Sequence, residues 1–118
     1  MARRDLTGAV DFAYLENFAA RDLGVVEEIL AIFREQAAMW STLLDPASPG
    51  LSDALHTIKG ASRGVGAFQL GDACAKAEQQ GAVALEAVRD ALDAALHDVA
   101  AYLHELALRS LKTPGMDG

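Results

Sequence analysis

Between residues 26 and 44, Val26, Leu30, Phe33, Ala37, Trp40 and Leu44 recur at alternating steps of four and three. An α-helix turns once every 3.6 residues, so this spacing gathers all of them on one stripe, and such a stripe is stable only against other helices. Comparable stripes lie further along the chain: Leu51, Leu55, Ile58 and Val65; then Leu70, Ala73, Cys74 and Ala77; then Leu85, Val88, Leu92, Ala95, Val99, Leu103 and Leu106. Breaks separate them. Pro46 and Pro49 in "DPASPG", Asp45 to Gly50, cannot continue a helix. Gly64 and Gly66 close the next near Arg63, and Gly81 is a natural cap for a helix over about 67–80. Ahead of the first long stripe, a short segment from Asp11 to about Ala20 carries Phe12, Leu15 and Phe18, and Asp22 is placed to cap the long helix after it. The pattern predicts an all-α fold, an antiparallel up-and-down four-helix bundle with a short additional N-terminal helix as a lid across one end. A single domain over 1–118 is expected, ordered over about 11–111, with 1–8 and 112–118 as frayed tails.

Composition narrows the partners. A chain of 118 residues is long enough for one core and too short for two domains of ordinary size. Its net charge of −7 argues against nucleic acid or an anionic membrane as a general partner, since both demand a basic surface. Cys74 has no partner for a disulfide and, with alanines at 73, 75 and 77, reads as a small core residue in a reducing compartment. Arg3-Arg4 is followed by Asp5, Asp11 and Glu16, so an export leader does not fit. No apolar run approaches the roughly 20 residues that span a bilayer; Glu86, Arg89, Asp90, Asp93 and Asp98 interrupt the most hydrophobic region. A soluble, cytoplasmic protein is the expectation.

One stripe faces the other way. His56, Lys59, Gly60 and Arg63 stand at i, i+3, i+4 and i+7 on the third helix, away from Leu51, Leu55 and Ile58. Glycine inside a helix costs about 1 kcal/mol relative to alanine, and Gly60 leaves the imidazole reachable by something large. Lys59 and Arg63 form a small cationic field suited to an anion at His56. If the third and fourth helices form a hairpin centred near Ala67, His56 and Glu78 each lie 11 residues from its centre, about 16 Å along each axis at 1.5 Å per residue. They are then level. A carboxylate accepting from one ring nitrogen would fix the proton there and leave the other nitrogen as a nucleophile. Phe68, Gly71 and Ala75 share the stripe of Glu78 and offer a low surface beside the histidine. His97 and His104, seven apart, are too far apart to chelate a metal with Asp90 or Asp93. Trp40 and Tyr102 read as core or core-edge residues and not as ligand-binding ones.

The run "HTIKGASRGVGAFQLGDACAKAE" resembles the signature of histidine phosphotransfer (HPt) domains of two-component phosphorelays. The matching residues are His56, Lys59, Gly60, Gly66, Ala67, Leu70, Cys74 and Glu78. The resemblance implies a phosphoryl carrier in which His56 accepts the group from the phospho-aspartate of one receiver domain and passes it, reversibly, to another. Lys59 would steady the phosphoryl oxygens, Gly60 give clearance and Glu78 orient the imidazole, while Arg63, Phe68, Gly71 and Ala75 dock the partner. The chain has no nucleotide-cradling motif and no clustered acids for Mg²⁺. No cofactor of its own and no kinase or ATPase activity are therefore expected. The receiver domain, of a hybrid histidine kinase or a response regulator, would bring the Mg²⁺, and the carrier is expected to be a monomer. The rival reading is a helical interaction module that binds or inhibits a signalling protein without carrying phosphate.

Overall fold

The computed structural model describes residues 6–117, with side chains as far as Arg109. Asp11 opens α1 (Phe12–Phe18) by accepting the Tyr14 backbone N–H, and Asp22 opens α2 (Leu23–Leu43) by accepting that of Val25. Then come α3 (Leu51–Val65), α4 (Phe68–Gln80), a single 3-10 turn (Gly81–Ala84) and α5 (Leu85–Asp117). Among the described residues there is no strand, and no helix is long and apolar enough to cross a membrane. Helices α2 to α5 form the expected bundle, each packed against its neighbours in chain order, with α5 returning to α2.

The α2 seam is buried along its whole length, from Val26 to Leu44, and Phe33 meets Trp40 edge to face at 5.5 Å. It closes on Leu55, Ile58 and Val65 of α3, Leu70, Cys74 and Ala77 of α4, and Leu85, Val88, Leu92, Ala95 and Val99 of α5. Leu51, Ala73, Leu103 and Leu106 are only partly buried at its edges. Arg89 of α5 donates to the Leu44 carbonyl and so ties off the end of α2.

The lid is held from two sides. Phe12 stacks on Tyr102 of α5 with ring centroids 4.3 Å apart, and the Asp11 N–H donates to the Gly66 carbonyl at 2.9 Å. Gly66 has φ +89°, and a Cβ there would meet the Asp11 carbonyl oxygen at 2.7 Å. Only glycine satisfies both the left-handed turn and that approach.

The sequence reading is corrected at four places. Phe18 does not join Phe12 and Leu15 in the core; it is 70% exposed, because α1 ends there and Ala20 and Arg21 turn the chain away at φ 55° and 66°. Helix α3 runs through Gly64 to Val65, since Gly66 alone supplies the left-handed cap. Helix α5 continues to Asp117, past the expected stop at 111. A proline forfeits only its own N–H bond and crowds one carbonyl, which a helix already propagating can carry. Residues 6–8 are not a frayed tail: the Thr7 N–H and hydroxyl donate to Asp98 at 2.8 and 3.0 Å. Residues 1–5 and 118 of the expected tails lie outside the described residues.

Candidate functional site

Helix α3 is anchored by Ala54, Leu55, Ile58, Ser62 and Val65, so the opposite stripe must face water. The His56 side chain is 76% exposed on that stripe. Across the hairpin, Glu78 stands level with it: His56 Nδ1 lies 3.5 Å from Glu78 Oε2. The register expected from the midpoint at Ala67 is the one found. The ring edge bearing Nδ1 faces a carboxylate, which leaves Nε2 on the far edge as the open nitrogen.

The other oxygen of Glu78 is engaged more tightly. Lys59 Nζ donates to Glu78 Oε1 at 2.6 Å, and both side chains are about three-quarters covered (23% and 24% exposed). This hydrogen bond, with a smaller contribution from His56, holds the Glu78 carboxyl below the usual carboxylate range. Lys59, Glu78 and His56 therefore form one row, cation to anion to imidazole, along the α3–α4 groove. In this state Lys59 is committed to Glu78, and only a stronger or nearer anion would draw it toward the histidine.

Gly60 stands in open space: an added Cβ would have nothing within 4 Å. Its omission of a side chain serves no internal packing. Gly71 is different and corrects the expectation of an open docking surface. It is buried, and a Cβ there would meet Arg63 Cγ at 2.9 Å, Nε at 3.2 Å and Cδ at 3.5 Å. The stem of Arg63 lies across it and the guanidinium reaches Asp72 Oδ1 at 3.6 Å. A helix-stripe reading places Gly71 on the correct side and cannot see that a long side chain from α3 covers it. Phe68 remains 40% exposed, edge-on to Tyr14 at 5.2 Å, and Ala75 is half-buried.

Cys74 lies fully buried inside this groove, its thiol pushed up to about 11, first by burial and then by the Glu78 charge. It is packing, as the sequence suggests. Among the described residues no group of three or more His, Cys, Asp or Glu is placed to hold a metal ion.

Sequence reasoning missed Asp98. Read as one of the charges that break up an apolar region, it is completely buried and accepts from Thr7 and, at 3.0 Å, from the Ala9 N–H. The one signal available was its place on the α5 stripe, next to Val99 and four residues before Tyr102; nothing in the sequence names Thr7 as the donor.

A family model for the Hpt domain matches residues 23–102. A solved structure, the crystal structure of histidine phosphotransferase ShpA from Caulobacter crescentus, is 66% identical to this chain. It superposes with a TM-score of 0.82, the match covering 89% of this chain and all of the other. No curated protein matches the sequence.

Proposed function

The chain belongs to the Hpt domain family and is a histidine phosphotransfer protein of a two-component phosphorelay, and from that membership we propose that His56 is the residue that carries the phosphoryl group. The family works with receiver domains of kinases and response regulators. The observation that carries the assignment to His56 is its pairing of exposure with orientation: an imidazole open to solvent, 3.5 Å from a carboxylate level with it on the next helix.

In the proposed step, Nε2 of His56 attacks the phosphorus of a receiver's phospho-aspartate. The N–P bond forms as the acyl O–P bond breaks, and the receiver's carboxylate leaves with the electron pair. The proton on Nδ1 stays in place. The positive charge that grows on the ring does so against Glu78, so this carboxylate stabilises the charge developed in the transfer. Lys59, one turn along α3, is near enough to exchange Glu78 for the phosphoryl oxygens once they arrive, and Gly60 leaves the approach open for alignment. Mg²⁺ is supplied at the receiver's own acidic pocket. Arg63, Phe68 and Ala75 flank the site as partner contacts. The carrier acts as a monomer, has no ATP-driven chemistry of its own, and works in the cytoplasm, where receiver domains are found.

Incubation with a phosphorylated receiver and Mg²⁺ tests this. The chain should gain an acid-labile, alkali-stable phosphate that maps to His56. His56→Gln should remain folded and accept none, while replacement of His97 or His104 leaves transfer intact. Phosphate on another residue would move the site. Tight binding to the receiver with no phosphate gained would favour the interaction-module reading.

A further inference from the structure

Two cations flank His56, and they are held in different ways. Lys59 is closed into a 2.6 Å hydrogen bond with Glu78. Arg63 makes only a 3.6 Å contact with Asp72, and both of these side chains are open to solvent, 48% and 74% exposed. Its charge is available to an incoming anion, yet its stem is confined, because Gly71 provides a trough into which Cγ, Cδ and Nε fit. An arginine on a free surface retains many rotamers, and fixing it on binding subtracts from the affinity of any pair it makes. Here the confinement exists before the partner arrives.

We propose that Gly71 is a positioning residue for partner recognition: it seats Arg63 across α4, with Asp72 guiding the guanidinium, so that a preformed fork meets a carboxylate on the rim of the receiver domain. The inference rests on the reading of His56 as phosphoacceptor. Arg63 lies seven residues from His56, about 10 Å along the helix, too far to share the transferred phosphoryl group and close enough to contact the rim around the receiver's aspartate. A planar fork favours a carboxylate, which it grips through two parallel hydrogen bonds. The chemistry of the step belongs to the row Lys59, Glu78, His56; the Arg63 clamp contributes to encounter and register. It should therefore appear in KM and leave kcat alone.

The test is a double-mutant cycle on transfer from a phospho-receiver, run with Gly71→Ala, Arg63→Ala and the pair. Alanine at 71 displaces the stem of Arg63 while favouring the helix. Gly71→Ala should raise KM for the phospho-receiver about two- to tenfold, the range expected when one ordered side chain must be fixed at binding, with kcat unchanged. In the Arg63→Ala background the same substitution should do nothing further. Arg63→Lys should not restore the parental KM, since an ammonium lacks the fork. Additive effects of the two substitutions, or a Gly71→Ala chain with parental KM, would overturn the inference. Should Gly71→Ala unfold the chain, the cycle is run with Asp72→Asn, which releases the guanidinium from its other end; a KM rise that persists without Arg63 overturns it equally. A parent that accepts no phosphate would sink the phosphotransfer reading itself, whereas a parent that transfers normally and is matched by Gly71→Ala sinks the clamp alone.

Discussion

Glu78 and Asp98 are both carboxylates that accept two or more contacts from another segment of the chain, and they do opposite things. Asp98 is completely buried and takes neutral donors only, the Thr7 N–H and hydroxyl and the Ala9 N–H. Glu78 stands at the open α3–α4 groove and takes a lysine and a histidine. Backbone donors fixed by the chain path cannot be exchanged for anything else, so Asp98 fastens residues 7–9 onto α5. Side-chain partners on flexible stems can be exchanged, which suits Glu78 to the role proposed for it, in an event in which charge arrives and leaves. Burial and donor type, more than the residue itself, separate an architectural acid from a chemical one.

The largest effect is expected on the architectural side. Asp98→Ala takes the acceptor from the part-buried Thr7 N–H and leaves the buried Ala9 N–H only its longer contact to the Thr7 hydroxyl oxygen at 3.3 Å, and charge-assisted hydrogen bonds of this kind put the loss on the order of 3 kcal/mol. For a domain of this size that corresponds to a melting temperature lower by roughly 10 °C. Phosphotransfer measured well below the transition should match the parent. A loss under about 1 kcal/mol, beyond the usual range for such bonds, would show that the N-terminal segment is merely laid against the bundle.

Two glycines sharpen the same contrast. At Gly66, alanine faces both a φ of +89° and a contact at 2.7 Å with the Asp11 carbonyl, and should destabilise by about 2 kcal/mol or more, given the cost of left-handed geometry for residues with a Cβ. At Gly60 nothing opposes a side chain, and alanine should raise stability by up to about 1 kcal/mol. Function should move the other way: Gly60→Ala transfers somewhat slowly, and Gly60→Gln hardly at all, because its side chain covers the approach to His56. Thermal melts and transfer rates on the same three variants check this. A Gly60→Gln chain that transfers at the parental rate would remove the clearance role, and a destabilised Gly60→Ala would place that residue at a contact.

The difference between these regions also explains what the sequence discloses. Helix α2 is legible because each of its seam positions obeys one period, and the level placement of His56 and Glu78 comes from counting along two helices about a hairpin. Both are local or nearly local facts. The Asp98 clasp joins residues 91 positions apart, and a buried aspartate on an apolar stripe looks like an interruption until its donors are in view. Gly71 fails for a related reason: helical phase tells which way a position points, while the cover over it comes from the rotamer of Arg63 on another helix. Phe18 is misplaced because two non-glycine residues, Ala20 and Arg21, adopt left-handed backbone geometry that no propensity favours.

The smallest expected effect on stability is that of Glu78→Gln, and its pH dependence tests whether this acid is as dispensable to the fold as the comparison requires. The amide keeps the shape and can still accept from Nδ1–H, so transfer should slow without stopping, with altered tautomer populations at His56 by nitrogen NMR. The Lys59 hydrogen bond lowers the folded-state value of the Glu78 carboxyl, so the parent's advantage over the amide exists only while the carboxyl is ionised in the folded chain. That advantage should be fully present above the ordinary glutamate value, about 4.3, and should fade as pH falls below it and through the lowered folded-state value. It should also shrink in high salt, since partly exposed ion pairs are screened. Melting temperatures of parent and Glu78→Gln from pH 6 down to about pH 3, a range set by the glutamate reference value, measure it directly: the two curves should converge at the acid end. A gap that widens toward low pH, or one as large as that of Asp98→Ala, would mean that Glu78 holds the helices together as Asp98 does, and the division between an architectural and a chemical carboxylate would fall.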